Sequence, residues 1–459
     1  MKSRNPLLRS ITSSLIIAAS LVNTAAAADY AIVVSAATHA DPGWSKVVDA
    51  LKEKHNGEIH IYQNSVTEAL PALREQFPAH TCFVATPSEA GKDFVAAVHQ
   101  LTRKLDDDPY TDGLWGILTG YDAANALRIA SHREPLTVRK VASGTDVALE
   151  KIEEGIWYCE LKQNHMVRKV KNGNPTPEKA PDDTTKPLVD TLNEYHADCF
   201  VTSGHATERD WQIGFRYENG YFRCKDGILF GLDTKGTQHP VNSPNPKVYL
   251  PIGNCLMGHI DGPDAMALAF MNSAGIYQMM GYTVPTWYGY GGWGCLDYFI
   301  EQPGRYTFAQ AVFANHAALI HRIQPDFTLD GKKLGPQDTQ GLLHDRDVVA
   351  FYGDPAWIAR MAPAKTSWNQ KLTENNGVFT FEILPNLGEE SFDPINTNGS
   401  QRGGRPIIEF LPSRLKNVKI IEGNDLQPVI TDDFILVPNP QTCDPSRKYK
   451  IVFSADPIP

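Results

Sequence analysis

The chain has 459 residues, 42% of them hydrophobic and 21% charged, with a formal charge of -10 at pH 7. That length exceeds what one hydrophobic core organises and reads as two or three domains, while an acidic chain without a basic cluster excludes nucleic acid as a partner. The seven cysteines form no CxxC pair, which argues against a cysteine-rich structural zinc site, and their odd number leaves at least one thiol unpaired or paired between chains.

Lys2, Arg4 and Arg9, then the apolar Leu15-Ile16-Ile17-Ala18-Ala19, then Ala25 to Ala28 before Asp29, have the order of a secretory signal cleaved near Ala28. The apolar part is too short to span a bilayer, no Cys stands near the cut to carry a lipid, and a secreted or periplasmic protein, bacterial in the look of its signal, is expected. From Tyr30 to about Ala130 strands and helices alternate: strand Tyr30 to Val34, helix Gly43 to Lys54, strand Glu58 to Tyr62, helix Val66 to Gln76, strand Cys82 to Ala85. Such alternation predicts an α/β fold with a parallel sheet under helices. Asp106 to Asp112 follows as an acidic, turn-rich loop. It reads as solvated, with a structural calcium as the alternative, because its carboxylates lack a full ligand spacing.

Residues 172–187 are rich in Pro, Asn, Asp, Thr and Lys and predict an exposed linker. A second α/β unit runs from Leu188 to about Met361, with helices over Pro263 to Asn272 and Thr307 to Ile323 and a strand from Gly275 to Tyr282. Ala265 to Leu296 carries no charge, yet Asn272, Ser273, Gln278, Thr283, Pro285 and its glycines suit a buried core and not a membrane span. Beyond Ala364, alternating runs such as Val378 to Ile383, Val418 to Ile421 and Tyr449 to Phe453 predict a C-terminal β-sandwich. The boundaries are therefore 1–28 signal, 29–171 first α/β subdomain, 172–187 linker, 188–363 second α/β subdomain and 364–459 sandwich.

Two segments of the second unit share one form. Cys199 to Gly204 leads into His205, and Val248 to Asn254 leads into Cys255. Apolar runs that end in turn-forming residues read as buried strands, and in parallel α/β sheets reactive groups gather beyond the carboxyl ends of such strands. A His and a Cys meeting there would form a nucleophilic dyad.

The two blocks, with His and Cys about fifty positions apart, resemble the caspase-like peptidases. The segment Cys255 to Asp261, the later Gly275 to Gly281 with Trp287, the closing Phe351 to Ala356 and the early Asp107-Asp108-Pro109-Tyr110 look more narrowly like the gingipain family. The resemblance covers roughly Tyr30 to Met361. It implies a caspase-like three-layer α/β/α sheet unit in two subdomains, an immunoglobulin-like C-terminal sandwich, and an exported cysteine endopeptidase acting on protein or peptide substrates. Within it Cys255 is the nucleophile, His205 the acid and base, the backbone N–H groups of Ala206 and Cys255 the oxyanion hole, and Trp287 and Tyr288 a wall of the substrate pocket. No metal or organic cofactor is required. The chain departs from the family at Ala206, where Gly is usual after the His, and at Asn254, where a small residue usually precedes the Cys.

Competing readings use the same residues. A catalytically silent relative would bind protein or polysaccharide through the same scaffold. Cys255, His259, His205 and Asp261 offer a zinc donor set, although Asp261 before Gly262-Pro263 is better placed to cap the next helix. Cys295 is the rival nucleophile, after a glycine loop and not a strand. A basic substrate side chain would need a buried carboxylate, with Asp198, Glu208, Asp210 and Asp297 as candidates.

Overall fold

The computed structural model describes residues 29–328 and 331–458; the signal-peptide reading of residues 1–28 lies outside them. The strands of the α/β part are β1 (Tyr30–Ser35), β2 (Glu58–Tyr62), β3 (His80–Val84), β4 (Leu114–Leu118), β5 (Leu136–Val138), β6 (Lys140–Ser143), β7 (Glu154–Tyr158), β8 (His165–Lys169), β9 (Thr176–Lys179), β10 (Cys199–Thr202), β11 (Asp210–Gln212), β12 (Tyr221–Lys225), β13 (Ile228–Leu232), β14 (Gln238–Pro240), β15 (Lys247–Pro251), β16 (Ile276–Tyr282), β17 (Val349–Tyr352) and β18 (Ala359–Met361). Among the described residues twelve of these form one sheet in the order β2-β1-β3-β4-β17-β16-β15-β10-β6-β7-β8-β9. Strands β1 to β4 are mutually parallel, as are β16, β15, β10, β6 and β7. The two halves run in opposite directions, since β17 is parallel to β4 and antiparallel to β16. Strands β11 to β14 make a separate antiparallel sheet between β10 and β15 in sequence.

This topology corrects the expected division at 172–187. Strands β6 to β9 pair into the half that contains β10 and β15, so the change of direction falls between β4 and β6 and not at the polar segment. Nor is that segment a bare linker. Thr176–Lys179 is an exposed edge strand paired antiparallel with β8, and Thr185 already opens the helix Thr185–Asn193. Its Pro and charged residues are what an unpaired sheet edge tolerates and what blunts it against further pairing.

The helices start where local chemistry permits. Asp41 accepts bonds from the N–H groups of Gly43 and Trp44 and Pro42 supplies the first turn of Pro42–His55, while Thr307 and Gln310 form a capping box for Phe308–Arg322. The segment Val66 to Gln76 divides into a 3-10 turn, Val66–Ala69, and the helix Leu70–Gln76. The helix expected from Pro263 begins later, at Met266–Ser273, and Asp261 does not cap it: its carboxylate forks onto the Arg209 guanidinium at 2.6 and 2.9 Å. No helix among the described residues is long and apolar enough to cross a membrane.

Beyond Ala364 the chain forms two small antiparallel sheets, one of Trp368–Asn375, Val378–Pro385, Tyr449–Pro457 and Leu415–Glu422, the other of Ile407–Phe410, Phe434–Val437 and Val429–Ile430. The second sheet is buried on both faces. Ile407, Ile435 and Val437 belong to a core shared with Phe381, Ile451 and Phe453 of the first sheet, whereas Ile408, Phe434 and Leu436 belong to the core of the α/β part. The period of two along a strand sends neighbours to opposite cores. This part is therefore welded onto the α/β part through apolar packing.

Candidate active site

Strands β10 and β15 are adjacent, parallel and wholly buried, with Thr202 opposite Pro251. Both leave the sheet at the same edge. His205 stands three residues past the end of β10 and Cys255 four residues past the end of β15, so the two segments singled out in the sequence end side by side. Gly204, at φ +92, makes the turn that turns His205 out of the sheet line, a backbone conformation that a side chain would strain. Leu256, directly after the cysteine, holds φ +57, and a branched side chain in that region marks strain concentrated at the loop.

Cys255 is half-buried, and its Sγ accepts the backbone N–H of Thr286 at 3.2 Å. The same Sγ lies 3.8 Å from Thr286 O, so both backbone groups of Thr286 hold the sulfur in place. His205 is exposed, its ring lying 4.8 Å from that of Phe215 at a tilt of 32°. Among the described residues the imidazole makes no hydrogen bond, to Sγ or to any orienting carboxylate, and so remains open to a substrate. The local backbone is held differently: a bridge pairs Ala206 with Trp211, with Gln212 donating to His205 O at 2.9 Å and Thr207 to Asp210 O at 2.8 Å. The N–H of Ala206 and the N–H of Cys255 donate to no acceptor among the described residues. Two unspent donors thus flank the two loops.

Asn254 is fully buried. Its Oδ1 accepts the Thr202 hydroxyl at 2.6 Å and its Nδ2 donates to Gly204 O at 3.0 Å, so its side chain ties the cysteine loop to the histidine loop without occupying the surface in front of Cys255. The Thr286 hydroxyl donates to Asn254 O at 3.1 Å.

The other candidates fall in different places. Trp287 is 51% exposed with its ring edge-on to His344, while Tyr288 is buried and donates to Asp338 at 2.8 Å. Only Trp287 offers its surface to a ligand. Asp198 lies at the far end of β10, accepting the N–H groups of Arg139 and Lys140. Asp210 accepts the Thr207 hydroxyl at 3.2 Å. Asp297 is buried and already paired: Arg402 reaches it at 2.6 Å and also bonds Glu301, and Arg405 lies 3.6 Å away, so it is not free to receive a substrate cation. Cys295 is buried within a helix, and burial pushes its thiol up to about 12, which removes the rival nucleophile. All seven cysteines are free. Cys255, His259, His205 and Asp261 do not gather their donor atoms at one point; among the described residues the group close enough for a metal is Asp106, Asp108 and Asp432.

Sequence reasoning missed Glu160. It is buried beyond β7, accepts the Thr145 hydroxyl at 2.6 Å and the Ser203 hydroxyl at 3.5 Å, and leaves its second oxygen unpartnered; burial raises its pKa. Only the lateral order β10-β6-β7 brings it beneath the histidine loop, and no local pattern announces that neighbourhood.

No family model and no curated protein matches the chain. Two solved structures are similar to it: the Arg-specific cysteine proteinase gingipain R, at 11% identity and TM-score 0.44 over 89% of this chain and 91% of that one, and the complex of Porphyromonas gingivalis RgpB pro- and mature domains, at 10% identity and TM-score 0.44 over 92% and 98%. At that distance the likeness carries no inference about chemistry.

Proposed function

We propose that the chain is an exported cysteine endopeptidase that hydrolyses peptide bonds through Cys255 and His205. The observation that supports it best is the placement of both residues past the same edge of the neighbouring buried strands β10 and β15, with the Thr286 N–H on Sγ. The Cys255 thiolate attacks a peptide carbonyl carbon, and the oxyanion that forms is met by the N–H groups of Ala206 and Cys255, which have no acceptor among the described residues. His205 protonates the departing amine, then takes a proton from water as that water attacks the acyl-enzyme and releases the acid and the thiolate. Its freedom from other bonds suits a group that must meet the leaving nitrogen and then water. These steps use no metal. An immunoglobulin-like sandwich for residues 364–459 on a caspase-like three-layer unit completes the proposal.

Mass spectrometry after treatment with peptidyl acyloxymethylketones carrying Arg, Lys or a wider set of terminal residues tests it. The expected result is an adduct on Cys255 that is lost in Cys255→Ala and His205→Ala. A folded protein with a free Cys255 and no adduct from any probe overturns the peptidase reading in favour of a silent binding scaffold.

A further inference from the structure

The residue before the nucleophile is completely buried, and its side chain's hydrogen-bonding partners sit on the strand and loop that lead to His205. The direction of each bond follows from the groups. Gly204 O can only accept, which fixes Nδ2 of Asn254 as the atom facing it and Oδ1 as the atom facing Thr202. Thr202 spends its single hydroxyl proton on Oδ1, so the Tyr249 phenol, 2.9 Å away, donates to Thr202; burial raises the Tyr249 pKa and keeps that proton in place. A directed chain therefore runs Tyr249 on β15, Thr202 on β10, Asn254 on the cysteine loop, Gly204 on the histidine loop.

Gly204 O belongs to the peptide unit whose N–H is that of His205. Fixing this carbonyl fixes the plane of the Gly204–His205 peptide at the left-handed turn, and hence the direction in which the His205 side chain and the following Ala206 N–H leave the sheet. At its other end Asn254 is covalently joined to Cys255, and its carbonyl is held by the Thr286 hydroxyl while the Thr286 N–H holds Sγ. A buried, directed chain of hydrogen bonds favours one arrangement, because breaking any member leaves an unsatisfied group in an apolar surround.

We propose that Asn254 is the positioning residue of the site: its side-chain amide sets the histidine loop, including His205 and the Ala206 N–H, in register with Cys255. The inference rests on the peptidase reading above. Asn254 touches no substrate and makes no thiolate; it decides where acid and oxyanion donor stand relative to sulfur. The small residue that the family pattern places there could not span the two loops, so this chain holds them by a route of its own.

The test separates geometry from thiol chemistry. The rate constant for inactivation by the acyloxymethylketone that labels Cys255, which needs acid and oxyanion donor in place, is compared with alkylation by iodoacetamide, which needs only the thiolate. For Asn254→Ala and Asn254→Asp the first is expected to fall about 100-fold, the scale of an ångström of misplacement, with the probe's binding constant changed less than about threefold and iodoacetamide alkylation within about threefold of wild type. Adding Thr202→Val to Asn254→Ala is expected to cost little more than Asn254→Ala alone, as for residues acting as a unit. Thr202→Val should reproduce the loss and Thr202→Ser restore it, which supplies the test where Asn254→Ala does not fold. A folded Asn254→Ala that keeps the wild-type inactivation rate, additive losses in the double variant, or equal losses with both reagents overturns the positioning role. Wild-type labelling that does not depend on His205 overturns the dyad itself, a distinct failure that removes this inference with it.

Discussion

Asp354, just past β17, is a buried carboxylate with several partners. The carboxylate is 1% exposed and accepts from the Tyr30 phenol at 2.8 Å, Lys54 Nζ at 2.9 Å, His55 Nε2 at 2.7 Å and the Ala356 N–H at 3.0 Å, so it pins the end of the central strands to the helix Pro42–His55. Asp354→Asn removes the charge and leaves Lys54, itself only 7% exposed, without its counter-ion. Breaking a buried pair in this way costs about 3–5 kcal/mol. At about 2.1 cal/mol/K per residue, a cooperative unit the size of the α/β part shifts by roughly 1–2 °C per kcal/mol, so Tm should fall by about 3–10 °C in differential scanning calorimetry at pH 7. Acid titration gives an independent check. Burial alone would raise the Asp354 pKa, but the His55 bond and the Lys54 charge outweigh it and hold the carboxyl well below the usual range. A depressed carboxyl contributes stability that is complete above its unfolded pKa of about 4 and is lost as pH falls through the native value. Wild type should therefore lose stability more steeply than Asp354→Asn below about pH 5. A loss under about 1 kcal/mol at pH 7, together with matching acid slopes, would refute the reasoning.

Other outcomes follow from the same structure. Arg402→Met leaves Asp297 and Glu301 buried without their principal cation, and a destabilisation of about 3 kcal/mol in urea titration is expected, with Arg405 limiting the loss. Asp112 is buried among Asp106, Asp108, Asp432 and Asp433 with an unpartnered oxygen, and burial first, then those charges, push it up to about 9. The folded chain keeps a proton there that the unfolded chain releases above about pH 4, so this group costs stability as pH rises from about 4 to 9. Asp112→Asn should gain at least about 1 kcal/mol on wild type between pH 5 and pH 8 by denaturant titration; no gain would show that the carboxylate has a cation partner, which calcium titration of Tm then reveals. Cys295→Ser should leave labelling of Cys255 unchanged, whereas Cys255→Ser should abolish it, as read by peptide mass spectrometry.

The strands that carry the site were legible because they are continuous apolar runs closed by Gly, Asn or Pro. Cys199 to Thr202 and Lys247 to Pro251 are buried along their whole length, as the sequence predicts for central parallel strands. The helix Phe308–Arg322 was equally readable from its period. The polar stretch 172–187 misled because its residues suit both a loop and a solvent-facing edge strand, and only pairing with β8 distinguishes them. Asp261 looked like a helix cap until Arg209, distant in sequence, claimed both its oxygens.

Local sequence alone determined where strands end, which residues are small enough to turn there, and that a His and a Cys each follow such an end. These are short-range properties of backbone sterics and apolar period. Tertiary structure decided that β10 and β15 are neighbours, that Glu160 lies under the histidine loop, that Arg402 fills the Asp297 pocket and that Asn254 binds Gly204. Each of those depends on the lateral order of strands or on bonds between residues far apart in the chain. Such bonds are strong only once burial has excluded water, and that condition no stretch of sequence carries by itself.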